Sequence, residues 1–277
     1  MLLPQYLFQW NSIQALDQIS TIYQQQWYCV VSYVYGAVIV RHNLLDHDTS
    51  TPNTDWQKSL VWSDIILPDG AALRTYRRIA QRLWIVNWVP HLSNINGTDF
   101  FPYLLEQYLA RGSVNLLCYA VYDEKLWLWQ WHLLREAEKY LQSTHGIWWT
   151  YAQDTNYDND DMNNWDRDAM SRACDPTIPT LMMVCRGVPR QEIWSYHHRE
   201  QLRKYGIIAC NQWATIDYRA GRETRAPLRV RTLWLESIWR LISDPRKNRS
   251  KFWVSFVMMW KIIQMIMSYV HDKVRSR

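Results

Sequence analysis

Glycine and proline are scarce in this chain, at 8 and 10 of 277 residues. That scarcity argues against a glycine-rich α/β nucleotide-binding fold and against a turn-dense β-sandwich, and it leaves long helices as the default. Cysteine is also sparse: Cys29, Cys118, Cys174, Cys185 and Cys210 are odd in number, scattered, and never at CxxC spacing. Neither a disulfide framework nor a zinc site is indicated, so a reducing, cytoplasmic location is expected. The opening MLLPQYLFQW has no basic segment and turns polar by Gln9, so it does not read as a signal peptide. No Lys/Arg block alternates with aromatics, and the net charge of +5 is diffuse, which excludes nucleic acid as an expected partner.

Tryptophan and tyrosine are plentiful instead, at 18 and 17 against 5 phenylalanines. Much of the core volume therefore falls to amphipathic rings that want a polar partner for N–H or O–H. Apolar spacing suggests helices over 6–25, 27–45, 71–88, 103–121, 125–141, 145–158, 177–185, 190–219, 228–242 and 251–274, with breaks at prolines such as Pro68, Pro102 and Pro189. No strand or hairpin signal stands out. The expected architecture is all-α: a single domain over 1–277, a bundle of about ten or more helices around a central cavity. The apolar stretch 252–270 reads as a buried terminal helix and not a transmembrane span, because Lys261 sits at its centre. Its basic flanks leave peripheral membrane contact as the alternative.

The most conspicuous local feature is QDTNYDNDDMNNWDRD, which places six aspartates between Asp154 and Asp168. On a helix, Asp154, Asp158 and Asp161 would share one face, and carboxylates held together in that way call for a cation such as Mg2+ with a substrate phosphate. Asp and Asn are equally at home in a solvated loop. A second acidic group, Asp46 and Asp48, ends the apolar run WYCVVSYVYGAVIV. Two Asp-bearing helix ends could face each other across a cavity, as in metal-binding bundles. The pair His197-His198 reads as solvent-facing rather than metal-binding, since adjacent residues point to different sides of a helix.

Taken in order, several segments resemble the trans-isoprenyl diphosphate synthases (trans-prenyltransferases), most closely the eukaryotic type of geranylgeranyl diphosphate synthase. YLFQWNSIQALDQIS is similar to a YLLQxPGKxxRxxxS segment, HNLLDHDTST to the first aspartate-rich motif, and GIWWTYAQDTNYDN to the second. LARGSVNLL places Arg111 where that family has a lysine, and IILPDGAAL, DPTIPTLMM and LRKYGIIACNQWATIDYRA follow in step. The basic GKxxR and most paired aspartates of the family are absent here.

The resemblance implies condensation of isopentenyl diphosphate with an allylic prenyl diphosphate. Mg2+ would be held by Asp46, Asp48, Asp154 and Asp158, and Arg111 would contact phosphate. Trp148, Trp149 and Tyr151 are candidates for a carbocation pocket, or ordinary core aromatics. It also implies a homo-oligomer. Two further readings stay open: a non-catalytic homologue kept as a subunit or scaffold, and a terpene cyclase, for which Asn211 and Thr215 match part of the ligand motif.

Overall fold

The first described helix, α1 (Ser12–Gln26), begins where Asn11 and Gln14 cap each other. The Asn11 side chain accepts from the Gln14 amide at 2.9 Å, and the Gln14 side chain accepts from the Asn11 amide at 3.0 Å. That reciprocal pair satisfies two of the amides a helix start leaves open. The computed structural model describes residues 11–35, 55–69, 95–112, 114–121, 147–154, 177–212, 224–227 and scattered positions from 229 to 271. After α1 come β1 (Cys29–Tyr35), α2 (Asp55–Val61), β2 (Ile65–Asp69), α3 (Gly97–Leu109), β3 (Val114–Val121) and β4 (Ile147–Asp154). They are followed by β5 (Thr180–Cys185), α4 (Arg190–His197), α5 (Arg199–Lys204), β6 (Ile207–Asn211) and α6 (Glu236–Ser243).

The strands form one six-stranded sheet in the order β2-β1-β6-β5-β3-β4, and every pairing is parallel. This α/β architecture overturns the expected all-α bundle. The physical reason lies in the burial of both sheet faces. Cys29, Val31, Tyr33, Leu181, Met183, Ile208 and Cys210 enter one core with the α1 and α3 side chains Ile19, Phe101 and Leu104. The alternate residues Val30, Met182, Val184, Ile207 and Ala209 enter a second core with Trp194 of α4 and Leu202 of α5. A strand covered on both faces has no polar side, so its sequence reads as an unbroken apolar run that periodicity cannot tell from a buried helix.

The misread segments follow from this. Residues 27–45 hold β1, 145–158 hold β4 and 177–185 hold β5, where helices were expected. The 103–121 pattern fuses the end of α3 with β3, and 190–219 fuses α4, α5 and β6. Two prolines expected to break elements lie inside them. Pro102 sits within α3, and Pro68 sits in β2, a strand at the edge of the sheet, where its missing N–H costs no ladder bond on the open side.

A polar anchor holds the amino ends of the central strands. The Asp64 carboxylate accepts from the Val30 amide at 2.7 Å and from Gln26 Nε2 at 2.9 Å. Trp27, at φ 64, stacks on Tyr23, and the Tyr23 hydroxyl donates to the Gly206 carbonyl at 3.1 Å. Gly206 has φ 63, and a Cβ there would lie 2.4 Å from Trp27 Nε1. Polar groups at the opposite, carboxyl ends of the strands form the site described next.

Candidate functional site

In an open parallel sheet the ligand crevice lies outside the carboxyl ends of the strands, where successive connections leave in opposite directions. Here β3 leads outward to β4 while its neighbour β5 leads the other way to β6, so the crevice opens beyond Val121 and Cys185. The segment that leaves β5 at this point is Arg186-Gly187-Val188-Pro189, followed directly by α4. Gly187 takes φ +74, a left-handed turn that glycine supplies without strain. Buried in the same segment and the first turns of α4 are Arg186, Gln191, Glu192 and Ser195, all polar and none more than 4% exposed.

These side chains are wired to the end of β6. Gln191 Nε2 donates to Glu192 Oε1 and to the Asn211 carbonyl, each at 2.9 Å. The Ser195 hydroxyl donates to Asn211 Oδ1 at 2.6 Å, and Asn211 Nδ2 donates to the Ser32 hydroxyl at 2.9 Å. Ser32 in turn shares a 2.7 Å hydrogen bond with Ser63. Burial pushes the Glu192 carboxyl up to about 8, against hydrogen bonds from the Gln191 side chain and its own backbone that lower it. Glu192 is therefore mostly the neutral acid near pH 7.

On the other face of the sheet the carboxyl edge carries Tyr33, Asp69, Gly97 and Gln212. Asp69 ends β2 opposite Tyr35 of β1. The buried Tyr33 phenol is raised well above its ordinary value, first by burial and then by Cys210 and the Asp69 carboxylate. Gly97 opens α3, and a Cβ there would sit 2.7 Å from Gln212 Oε1 and 3.5 Å from the Tyr33 ring. The missing side chain lets the helix start approach the strand ends. Asn96 caps α3 by accepting from the Asp99 amide at 2.9 Å. Arg225 grips the Asp99 carboxylate with two nitrogens, Nη2 lying 2.6 Å from Oδ2.

Few of the residues expected from sequence take part. Asp46, Asp48 and Asp158 lie outside the described residues. Asp154 is the last residue of β4, opposite Val121 of β3, and so stands at the carboxyl edge where the crevice opens, although on a strand and not on the i, i+4 helical face it was assigned. Arg111 follows α3, exposed, and donates to the Ser20 hydroxyl at 3.0 Å. It lies just before β3, at the amino end of the sheet, away from the edge where a phosphate would bind. Trp148, Trp149 and Tyr151 belong to β4 and not to a helix. His198, expected at the surface, is buried and stacks on Trp194, with Nδ1 2.8 Å from the Trp194 carbonyl; His197 is exposed. Among the described residues no group of three or more His, Cys, Asp or Glu is placed to hold a metal.

Sequence reasoning passed over Gln191, Glu192 and Asp69. The available signal was a Gly-x-Pro turn between an apolar run and an amphipathic helix, CRGVPRQE, together with an aspartate closing the run IILPD.

A family model described as "Glycosyl transferase WecG/TagA/CpsF family" matches residues 14–271. That match replaces the trans-prenyltransferase resemblance and, with it, prenyl diphosphate condensation. The earlier likeness rested on short segments aligned in order, several of which are parallel strands here and cannot build a helical diphosphate cage. No curated protein matches the chain.

Proposed function

Because the chain belongs to the WecG/TagA/CpsF family of glycosyl transferases, we propose that it moves a sugar from a nucleoside-diphosphate donor to an acceptor hydroxyl, in the assembly of a cell-wall polysaccharide. The observation that carries this reading is the gathering of buried polar side chains at the carboxyl edge of the parallel sheet, on both sides of β6. In the reaction the acceptor oxygen attacks the anomeric carbon and the bond from that carbon to the diphosphate breaks. The nucleoside diphosphate leaves with the electron pair, and the acceptor proton goes to a carboxylate. Asp69 is assigned that base. It is a partly buried acid at the edge, and a positioned general base supplies about 10²–10⁴ in rate. Arg186 in the β5–α4 segment is suited to the diphosphate charge, as guanidinium groups bind such oxygens in pairs.

The test is release of nucleoside diphosphate from UDP-, GDP- and dTDP-sugars in the presence of a membrane extract as acceptor source, with and without EDTA. The chelator arm decides the Mg2+ requirement expected from the acidic runs. Asp69→Asn should lower turnover by about 10²–10⁴ without moving the melting temperature. Absence of release from every donor overturns the reading; full activity in Asp69→Asn removes that residue from it.

A peripheral lipid surface is the proposed partner of the C-terminal region. Every described position from 253 to 271 is helical. Trp253, Phe256, Trp260, Ile263 and Met267 recur at steps of three and four and are 64, 56, 54, 43 and 66% exposed. Such spacing keeps them on one helix face. At these five positions the expectation of a buried helix does not hold. Arg246 and Arg249 are exposed just ahead of it, as an anionic surface would favour. Among the described residues no helix is long and apolar enough to cross a membrane.

A further inference from the structure

The amino ends of three neighbouring strands bring aromatic side chains to the surface. Trp62 precedes β2, Trp27 and Tyr28 precede β1, and Tyr205 precedes β6, and the sheet sets these strands side by side in the order β2-β1-β6. Neighbouring strands lie about 4.8 Å apart, so the connections that bear these rings follow one another along one edge. That edge is at the end of the strands remote from the crevice.

Trp62 is 61% exposed, and Trp27 is exposed although its ring is backed by Tyr23 and Gly206. Single exposed aromatics are ordinary, but large ones gathered on one surface mark a binding face. Arg199 of α5 adds charge. Its guanidinium carbon lies 5.0 Å from the Trp62 ring centre and 5.3 Å from that of Tyr196, the two rings being 6.2 Å apart. Its Nε lies 3.7 Å from Glu200 Oε1, and among the described residues nothing hydrogen-bonds its two terminal nitrogens. The Tyr28 phenol, raised first by burial and then by Asp64, also feels Arg203, Glu200 and Arg199, which ties β1 to the same cluster.

A ligand that fits must offer an apolar face and a negative charge close together, because Trp62 and Arg199 touch. The C–H side of a sugar ring packs on the negative face of an aromatic ring. A carboxylate on that same sugar reaches the paired N–H groups of a guanidinium. A lipid surface fits poorly, since the exposed Glu200 would meet anionic headgroups with like charge. Nucleic acid fits poorly too, because Glu200 and Asp64 offset Arg199 and Arg203 and leave little net charge for phosphates. A protein partner takes up rings that project into its pockets, whereas Trp27 and Trp62 are held against Tyr23 and Arg199.

We propose that this edge binds an acidic glycan whose sugar rings carry their own carboxylates, with Trp62 and Tyr196 as stacking rings and Arg199 as the carboxylate contact. The inference goes beyond glycosyl transfer and does not depend on it. A glycan chain held at the amino ends of the strands leaves the crevice at their carboxyl ends open.

The test is titration calorimetry of the full chain with polygalacturonate, neutral dextran and polyglutamate. Polygalacturonate should bind at least about tenfold more tightly than either of the others, since it alone joins ring and charge. Arg199→Ala should weaken it about 10–100-fold, as the loss of a hydrogen bond to a charged group does. Trp62→Ala should weaken it about tenfold, and Trp62→Phe, which keeps a ring, should recover most of that. Should Trp62→Ala fail to fold, Arg199→Ala and Arg199→Glu still decide. Nucleoside diphosphate release should be the same in every variant, and a loss there would overturn a surface separate from the crevice. Equal binding of polyglutamate overturns the proposal in favour of charge alone or an acidic protein, and equal binding of dextran overturns the carboxylate contact. Variants that bind polygalacturonate as tightly as the unaltered chain overturn the site. A Trp62→Ala chain that loses phosphatidylserine vesicles but keeps polygalacturonate assigns the face to lipid and overturns the glycan.

Discussion

Asn211 Nδ2 donates to the Ser32 hydroxyl at 2.9 Å across the join of β6 and β1, between residues 179 positions apart in the chain. Both groups are fully buried, so the bond cannot be exchanged for one to water without opening the sheet edge. Replacing Asn211 by leucine removes the acceptor of the Ser195 hydroxyl and one of the two partners of Ser32, which keeps its bond with Ser63. A buried hydroxyl left unpaired costs about 1–3 kcal/mol, and urea unfolding should show a drop of that order. An unchanged midpoint would mean that Ser195 finds another partner.

Glu192 predicts a pH dependence of stability with a definite sign. Its ordinary value is 4.5 and burial raises it to about 8 in the folded chain. Between those values the folded protein holds a proton that the unfolded chain has released. Stability is thus greatest below the lower value and declines as pH climbs toward the upper one, by about 1.4 kcal/mol per pH unit for a single proton. Above the folded value both states are ionised and the decline stops. Glu192→Gln cannot titrate, so its unfolding free energy should lack this slope, and the difference between the two proteins is the readout.

Among the described glycines, Gly206 is the position where a methyl group is least tolerable. Alanine there would need a left-handed backbone, which costs about 1–2 kcal/mol, and its Cβ would fall 2.4 Å from the indole nitrogen of Trp27. Gly206→Ala should lose more than the backbone cost alone, and Gly206→Ala with Trp27→Ala should recover the steric part. The comparison of melting temperatures checks it.

The exposed stripe at the C-terminal end predicts binding to vesicles. Liposomes rich in phosphatidylserine should sediment the protein, and neutral phosphatidylcholine liposomes should do so weakly, because basic residues near an anionic surface contribute about 1 kcal/mol each. Changing Trp253 and Trp260 to serine should lower the partition coefficient by at least about tenfold. Equal binding by that double variant would assign the attachment elsewhere.

Helix α1 was legible because its signals are local. The Asn11–Gln14 box and the apolar positions Ala15, Leu16, Ile19 and Tyr23 sit within one segment, and the expected 6–25 overlaps the observed Ser12–Gln26. The strands were illegible for the opposite reason. What makes TLMMVC a strand is that Met182 meets Trp194 on one side while Met183 joins Cys210 and Leu104 on the other. Neither neighbour is near it in sequence. The scarcity of glycine misled in the same direction, since the turn after β5 needs only Gly187 to leave the sheet. At the site, a count of aspartates drew notice to 154–168, whereas Gln191 and Glu192 carry ordinary side chains whose interest lies in burial. Burial is a property of the folded molecule and leaves no mark in composition.

The position of β6 between β1 and β5 also governs when the molecule can become whole during synthesis. β1 precedes β6 by nearly 180 residues, yet β6 is its inner neighbour, paired from Cys29↔Ile208 to Ser32↔Asn211, and is the last of the described strands to be made. Until then β1 has only the edge strand β2 beside it, and its apolar inner margin stands open to any strand that passes. A nascent chain halted before residue 207 should therefore bind chaperones or aggregate, and completing the five residues of β6 should release it.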